Sequence, residues 1–315
     1  MSARDPGFLT ALSAEVQGEV LADASLARYS TYRIGGPATV LQPRSSEDVA
    51  TAIRLAGRHG VPWFALGLGS NVLLPDEGMD ALVIRLGKGL DRLEQRDDWW
   101  SLGAGLPAPL AARRTAAAGW SGLQVMVGVP GTVGGGVFMN AGCHGGQWSD
   151  VVREVLVVDA GGEFRTIPGH QIPFSYRRSG LRGVLVLEAT VQLSAAEPGE
   201  LQAEMNRLFE WRQQGTPFNQ PCCGSVFTNP AWPAGTPAEG PRTAGQLLEA
   251  AGLKGRRIGG AEVSPMHANY FVNTGTASAA DIRALISEAQ AAVSARFGVT
   301  LETEVKLIGT DGRYL

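Results

Sequence analysis

The stretch Gly128–Gly146 reads GVPGTVGGGVFMNAGCHGG and sets a Pro, a Thr and an Asn among many glycines. Because ordering glycine costs more conformational entropy than ordering any other residue, this run is a poor choice for a helix or strand that only has to pack. A second glycine segment, GLGSN at 67–71, follows a predicted apolar strand. Such turns expose backbone N–H groups that can hold an anion, so both segments predict phosphate cradles, although each alone is also compatible with a plain tight turn.

The composition is that of an ordinary globular protein. Its 315 residues are 44% hydrophobic and 18% charged, enough to bury cores in two or three domains. The 27 basic and 30 acidic residues are well mixed, which predicts no nucleic-acid or membrane partner, and no protein partner is evident. The charged N-terminus and the lack of a membrane-length apolar run predict a cytoplasmic protein. Neither the cysteines (Cys143, Cys222 and Cys223) nor the histidines have ligand spacing, so we expect free thiols and no metal.

Hydrophobic periodicity divides the chain into three blocks. Residues 1–88, with 305–315 returning to them, predict a small α/β unit whose helix is capped by Ser45 or Ser46. Residues 89–196 predict α+β structure with mostly antiparallel strands and a hairpin at Gly161-Gly162. Residues 197–304 predict a block with long helices at each end, and LETEVKLIG at 301–309 predicts a strand.

The common nucleotide motifs do not fit the glycine segments. GLGSNV has no third glycine at the Rossmann spacing and precedes an apolar run, and GxxxxGK[ST] does not occur. Two glycine segments in different blocks could still close on the two ends of one long cofactor that has a pyrophosphate in its middle.

Eight segments between residues 28 and 309 form an ordered set: YSTYRIGGPA, LGLGSNVLLPDEG, GLQVMVGVPGTVGGGVFMNAGCHGG, SYRRS, GSVFTNP, AGQLLEAAGLKG, GGAEVSPMHANYFVN and LETEVKLIG. Together they resemble the UDP-N-acetylenolpyruvoylglucosamine reductase family, specifically its shorter subgroup without an inserted tyrosine loop. The resemblance implies an α+β protein: an FAD-binding fold of the vanillyl-alcohol oxidase type in two subdomains, 1–88 with 305–315 and 89–196, plus an α/β substrate-binding domain at 197–304.

The resemblance also implies the cofactor and the reaction. NADPH would supply the hydride, non-covalent FAD would carry it, and the enolpyruvyl group of UDP-N-acetylglucosamine enolpyruvate would be reduced to give UDP-N-acetylmuramate for peptidoglycan. The implied cofactor-binding residues lie mostly in the glycine segments: Gly67, Gly69, Ser70, Asn71, Gly128, Pro130, Gly131, Thr132, Gly134, Gly135, Asn140, Gly142 and Lys306.

Three residues match the catalytic positions of the family. Arg177 would grip the substrate carboxylate, Ser225 would protonate C2, and Glu304 would help to polarise the substrate. The residues themselves leave alternatives open. Arg178 neighbours Arg177 in what we expect to be an extended segment, and Glu302 would share a strand face with Glu304.

The implied substrate contacts are Asn229, Arg242, Lys254, His267 and Asn269, with Arg256 and Arg257 adding positive charge for a UDP pyrophosphate. The basic residues could instead form a solvated loop, and His267 could be structural. Departures from the family pattern are Thr228 for Lys, Lys306 for Arg, Gly136 for Ala, and Cys143 and His144 within NAGAYG.

Two other functions share some of these features. A different FAD oxidoreductase with the same cofactor fold would keep the glycine segments but has no reason to carry GSVFTNP and LETEV. A nucleotide-sugar binding protein without turnover is disfavoured because Arg177, Ser225 and Glu304 are all present.

Overall fold

A computed structural model describes residues 1–232 and 239–315. The predicted Pro/Gly loop at 231–241 therefore lies partly outside the described residues. In the described part of the chain all three cysteines are free, no group of side chains has the geometry of a metal site, and no helix is long and apolar enough to cross a bilayer.

The first block is a four-stranded sheet flanked by helices, as predicted. Ser45 accepts a hydrogen bond from the Asp48 amide and so begins the second helix. The sheet order is β1-β2-β5-β3, with β1 antiparallel to β2 and the other pairs parallel. The elements are α1 (Pro6–Glu15), β1 (Glu19–Ser25), β2 (Pro37–Gln42), α2 (Ser46–Arg58), β3 (Trp63–Leu66), β4 (Val72–Leu73) and β5 (Leu82–Arg85), with a 3-10 turn at Leu26–Tyr29.

The second block is a five-stranded antiparallel sheet, β12-β11-β13-β7-β6, with the predicted hairpin joining β11 and β12. Its apolar face shares one hydrophobic cluster with α2 and the strands of the first block. The elements are β6 (Leu93–Arg96), β7 (Trp99–Gly103), α3 (Ala108–Ala117), β8 (Trp120–Ser121), α4 (Val133–Met139), β9 (Gly142–Cys143), β10 (Gly146–Gln147), β11 (Val152–Asp159), β12 (Phe164–Pro168), β13 (Val184–Gln192), β14 (Ser194–Ala195) and α5 (Pro198–Gly215), with 3-10 turns at Gln124–Gly128, Trp148–Asp150 and Gly169–Gln171.

The third block packs two helices on a three-stranded sheet, and its hydrophobic cluster also takes in Tyr32, Ile34 and Leu73 of the first block. Capping boxes at Thr243 and Ser278 begin the two helices. The elements are α6 (Ala244–Ala250), β15 (Arg257–Ile258), β16 (Ala261–Val263), β17 (Phe271–Asn273), α7 (Ala279–Phe297) and β18 (Lys306–Leu307). The predicted strand at 301–309 is wrong in extent, because β18 pairs in parallel with β4 of the first block, while Thr303 and Ile308 form only isolated bridges, to Phe227 and Tyr314.

The helix α5 belongs with the second block. Leu201 and Met205 pack with Ala116 of α3 and Val127 of the preceding 3-10 turn in a separate small cluster. This packing separates α5 from the hydrophobic cluster that contains α6, α7 and the strands β16 and β17. We therefore propose that the third domain begins after α5 and not at residue 197.

The glycine-rich run contains a helix, contrary to our prediction. Thr132 caps α4 through the Gly135 amide, and the helix then passes through Gly134, Gly135 and Gly136. A Cβ atom at Gly134 would lie 2.8 Å from the Ala104 side chain, and one at Gly136 would overlap the Trp148 indole nitrogen. Here the absence of side chains allows close packing within the protein, which offsets the low helix propensity of glycine.

We expect Gly136→Ala to destabilise the protein by about 1–3 kcal/mol, because the buried Trp148 ring must move to admit the methyl group. Denaturant unfolding of the apoprotein measures the change. Gly57→Ala is the matched control. Gly57 also lies within a helix, α2, and a Cβ atom there would meet nothing within 4 Å. Equal unfolding midpoints for Gly136→Ala and the wild type would contradict the packing argument.

Candidate active site

A cleft between the blocks is lined by both glycine segments. The first, Gly67–Asn71, is the glycine turn that follows β3, and the Ser70 hydroxyl donates to the Pro130 carbonyl at 3.0 Å. The structure thus brings together the two segments that the sequence singled out. Of the predicted cofactor contacts, those lining the cleft are Gly67, Gly69, Ser70, Asn71, Pro130, Gly131, Thr132, Gly135, Gly142 and Lys306.

Glycine is required at two positions of the glycine turn. A Cβ atom on Gly67 would lie 2.6 Å from the Thr132 hydroxyl oxygen. Gly69 has a φ of +63°, and a Cβ atom there would overlap the Tyr29 carbonyl oxygen. The backbone of the turn can therefore approach its neighbours closely, as a pyrophosphate cradle needs.

Three further predicted cofactor contacts lie outside the described lining of the cleft, and their contacts are with the protein itself. Gly128 leaves room for the Arg212 side chain, whose Cγ would lie 2.7 Å from a Cβ atom, and Gly134 packs on Ala104. Asn140 uses its amide inside the protein. Its Nδ2 donates to the Ser175 carbonyl at 3.0 Å, and its Oδ1 accepts from the Ser149 amide at 3.0 Å.

Arg177 and Glu304 form an ion pair in the cleft. Arg177 Nε lies 3.0 Å from Glu304 Oε1, and Nη2 donates to the Gly142 carbonyl at 2.7 Å. The guanidinium also lies over the Tyr176 ring, 4.8 Å from its centroid. These contacts fix the plane of the guanidinium and leave its remaining N–H groups for a ligand.

The neighbouring pair, Arg178 and Glu302, lies outside the cleft. Arg178 Nη2 and Glu302 Oε2 are also 3.0 Å apart. Both of these side chains are exposed, at 68% and 70%, whereas those of Arg177 and Glu304 are 20% and 19% exposed. One expectation is corrected by this geometry, because residues 175–178 form a tight turn with Arg177 at φ +58° and not an extended segment. Glu302 and Glu304 lie on either side of Thr303, which forms an isolated bridge with Phe227.

Burial of Glu304 affects its ionisation. Loss of hydration raises the pKa of the carboxyl above its ordinary value, and the neighbouring Arg177 only partly opposes that rise. Burial also disfavours the charged form of Lys306, which lines the same cleft, and therefore lowers the pKa of its ammonium group. The cleft therefore holds a carboxyl that retains its proton to higher pH than an exposed glutamate.

Ser225 lies in the cleft on a loop whose backbone is held on both sides. The Val226 amide donates to the Asn269 carbonyl at 2.8 Å, and the Glu304 amide donates to the Val226 carbonyl at 2.7 Å. Asn269, predicted as a substrate contact, uses both ends of its buried amide on the main chain of Phe227, at 2.9 and 2.8 Å. It lines the cleft, and these two bonds hold the loop that carries Ser225.

Three cations of the predicted basic cluster have acidic partners. Lys254 pairs with Glu249 at 2.7 Å, Arg256 with Glu288 at 2.6 Å and Arg257 with Glu262 at 2.7 Å. Arg242 lies over the Trp232 ring at 5.2 Å. None of these four cations belongs to the described lining of the cleft, and their contact with the UDP pyrophosphate stays a prediction.

The two other predicted substrate contacts differ from each other. Asn229 lines the cleft, and its Oδ1 accepts from the Ala244 amide at 3.0 Å. His267 packs against Gly245 and Tyr270, and its Nδ1 accepts from the Asn269 amide at 3.1 Å. Burial lowers the pKa of His267, which agrees with a neutral structural histidine.

Arg212 was missed by the sequence interpretation. It lies near the end of α5, lines the cleft, and its buried Nε has no hydrogen-bond partner among residues 1–232 and 239–315. The positive charge of Arg212 lowers the pKa of Glu304 and of the Cys222 thiol, but burial raises both pKa values by more. Nothing in the local sequence distinguishes this arginine from the other charged residues of the helix.

The residues of the cleft fit FAD. The glycine turn offers a cradle for the pyrophosphate, and Lys306 supplies positive charge. Phe64, Phe138 and Tyr314 form an aromatic part of the lining that suits flat rings. The buried Trp148 indole N–H in the same wall lacks an acceptor within the described part of the chain.

Comparisons with known proteins identify the family. A model described as FAD binding domain matches residues 37–167, and one described as UDP-N-acetylenolpyruvoylglucosamine reductase, C-terminal domain, matches residues 216–308. A UDP-N-acetylenolpyruvoylglucosamine reductase of Halalkalibacterium halodurans is 40% identical over 296 residues, 93% of this chain and 95% of the relative. The chain belongs to the UDP-N-acetylenolpyruvoylglucosamine reductase family. A member from Bacillus licheniformis is 39% identical over 296 residues, again 93% of this chain and 95% of the relative.

Solved structures confirm the predicted fold. The UDP-N-acetylenolpyruvylglucosamine reductase of Thermus caldophilus has a TM-score of 0.77 at 32% identity, covering 92% of this chain and 99% of that one. Phl p 4, a grass pollen allergen with glucose dehydrogenase activity, has a TM-score of 0.50 at 17% identity over 61% of this chain and 44% of its own, a likeness of fold alone. The chain is thus a flavin-dependent oxidoreductase of this family with FAD as its cofactor. The match to the family's C-terminal domain argues against an oxidoreductase that shares only the cofactor fold.

Proposed function

We propose that the chain reduces the enolpyruvyl ether of UDP-N-acetylglucosamine enolpyruvate to UDP-N-acetylmuramate, with NADPH as hydride donor. The observation that carries the proposal is the meeting of Ser225 with the Arg177–Glu304 pair in a cleft lined by both glycine segments. FAD, when bound, supplies the hydride transfer for this reduction. The glycine turn, Gly131, Thr132 and Lys306 would hold its pyrophosphate. Both proposed substrates are anionic nucleotides that do not cross a bilayer, which favours a cytoplasmic enzyme.

Ser225 is the proposed acid. Hydride addition at C3 of the enolpyruvyl group leaves negative charge at C2, and a hydroxyl in the cleft can give a proton to that carbon. Gly224 precedes it with a φ of +71°, and the bonds at Val226 hold the following residue. The short, anchored loop limits how far the hydroxyl can move from the reacting atom.

Arg177 and Glu304 are proposed to stabilise the substrate carboxylate as charge is drawn into it. The free N–H groups of Arg177 face the cleft in an orientation fixed by Glu304 and Gly142. A protonated Glu304 can itself donate to the carboxylate, and burial raises its pKa in that direction. Two bare carboxylates would repel, so this protonation removes a cost of bringing the substrate beside Glu304.

Arg212 is proposed to bind the negative charge of the UDP moiety, a role that the sequence had assigned to the paired cations. We expect Arg212→Gln to raise the KM for the UDP substrate by roughly tenfold with kcat nearly unchanged, because a charge-assisted hydrogen bond is lost from ground state and transition state alike. Steady-state kinetics measure both constants. Arg256→Gln is the matched control, since Arg256 is exposed and already paired with Glu288. An unchanged KM in Arg212→Gln, or an equal rise in the control, would contradict this assignment.

The proposed reaction is tested by mass spectrometry of the sugar nucleotide after incubation with NADPH and the purified protein. We expect the enolpyruvyl substrate to gain two hydrogens only when both NADPH and the protein are present. Substrate recovered unchanged from an enzyme that is loaded with FAD would overturn the proposal.

A further inference from the structure

Three aromatic rings in the cleft take no part in the chemistry proposed above. The rings of Phe138 and Tyr314 are nearly parallel, with centroids 6.3 Å apart and planes 21° apart. Tyr314 also meets Phe64 edge-on at 6.4 Å. All three side chains belong to the lining of the cleft, so their faces and edges surround space that a ligand can enter.

Tyr314 is held in place by a hairpin at 308–314. Ile308 and Tyr314 are bridged across the hairpin, and the Leu315 amide donates to the Leu307 carbonyl at 2.9 Å. Leu307 lies in β18 and pairs with Leu73 of β4, two residues beyond the glycine turn. The hairpin therefore has a fixed position relative to the turn that would hold the pyrophosphate.

The two parallel rings come from different walls of the cleft. Phe138 is carried by the glycine-rich helix α4 of the second block, whereas the hairpin of Tyr314 is attached to the first. Phe64 is 6% exposed and forms a backing, but Tyr314 exposes 53% of its surface although it lies in the lining. A bound molecule with a flat ring can stack on an aromatic side chain that is exposed inside a cleft.

We propose that Tyr314, backed by Phe64 and Phe138, forms a stacking subsite for an aromatic ring of bound FAD, an inference that rests on the FAD cofactor of the family. FAD has two flat ring systems, adenine and isoalloxazine, that could stack here. The position favours adenine. Phe64 lies in the strand that leads into the glycine turn, whereas the catalytic groups adjoin its far end, where Asn71 Nδ2 donates to the Glu304 carbonyl at 3.2 Å.

The test is the dissociation constant of FAD, measured by titrating apoprotein and following the quenching of flavin fluorescence. Tyr314→Ala is expected to weaken binding by roughly tenfold, the value of one aromatic stack. Tyr314→Phe keeps the ring and is expected to bind as the wild type does. Phe164→Ala removes an exposed aromatic ring on β12, away from the cleft, and is expected to change nothing.

A parallel titration with FMN, which lacks adenine, identifies the ring. A loss confined to FAD assigns adenine to the subsite, and an equal loss with both cofactors assigns the isoalloxazine. Wild-type affinity in Tyr314→Ala, or a loss in Tyr314→Phe as large as in Tyr314→Ala, overturns the proposal. Melting temperatures of the apoproteins show whether each variant is folded, and failure of the wild type itself to bind FAD would count against the proposed function instead.

Discussion

Ser225→Ala is expected to lose about 10²- to 10⁴-fold in the reduction of the enolpyruvyl substrate, while NADPH still bleaches the protein's yellow colour at a near-normal rate. NADPH reacts before any charge has formed at C2, so a proton donor has no work in that half-reaction. Return of the colour on adding substrate requires the proton. Anaerobic stopped-flow absorbance follows the two half-reactions separately.

Ser225→Cys is the matched variant, because a thiol at the same position can also donate a proton and should recover part of the loss. A Ser225→Ala variant whose colour returns at the wild-type rate would show that Ser225 is not the acid. If both half-reactions are slowed, the substitution has damaged the cofactor site, and the proposal that Ser225 is the proton donor loses its support.

Arg177→Lys is expected to lower kcat by roughly 100-fold or more, even though the positive charge is kept. A lysine ammonium has only three N–H groups, all on one nitrogen, so after donating to Glu304 and Gly142 it cannot offer a carboxylate the paired, planar donors of a guanidinium. The loss should fall on kcat and kcat/KM together, since the proposed interaction strengthens as charge develops in the transition state.

Arg178→Lys is an unusually close control for that experiment. It changes the next residue in the chain, which has the same chemistry and an ion pair of the same length, but on the exposed surface. We expect wild-type kinetics from it, as exposed ion pairs contribute little. Comparable losses in the two variants would contradict the choice of Arg177 as the carboxylate-binding residue.

Most of the fold could be predicted from local pattern. Strand and helix periodicity, the Ser45 cap and the hairpin at Gly161-Gly162 are all short-range signals, and each appears where expected. The errors arose where long-range packing decides. Glycines occur in the helix α4 because Ala104 and Trp148 occupy the space that side chains would need. Within residues 301–305 only Thr303 forms a bridge, to Phe227, whereas 306–307 pair with β4.

The site shows the same limit. Resemblance to the family motifs selected Arg177 over Arg178 and Glu304 over Glu302, but the burial of the first pair and the exposure of the second depend on tertiary structure. The acidic partners of the basic cluster, such as Glu288 opposite Arg256, could not be predicted because they are set by tertiary contacts. Arg212 carries no motif, and only the return of α5 to the cleft distinguishes it from a surface charge.

The most direct test of the account is the visible spectrum of the purified protein without oxygen, recorded before and after adding NADPH and then the enolpyruvyl substrate. The account predicts flavin absorption bands at the start, their loss with NADPH, and their return in proportion to the substrate added. A colourless protein that takes up no FAD, or a bleached one whose colour the enolpyruvyl substrate does not restore, would contradict it.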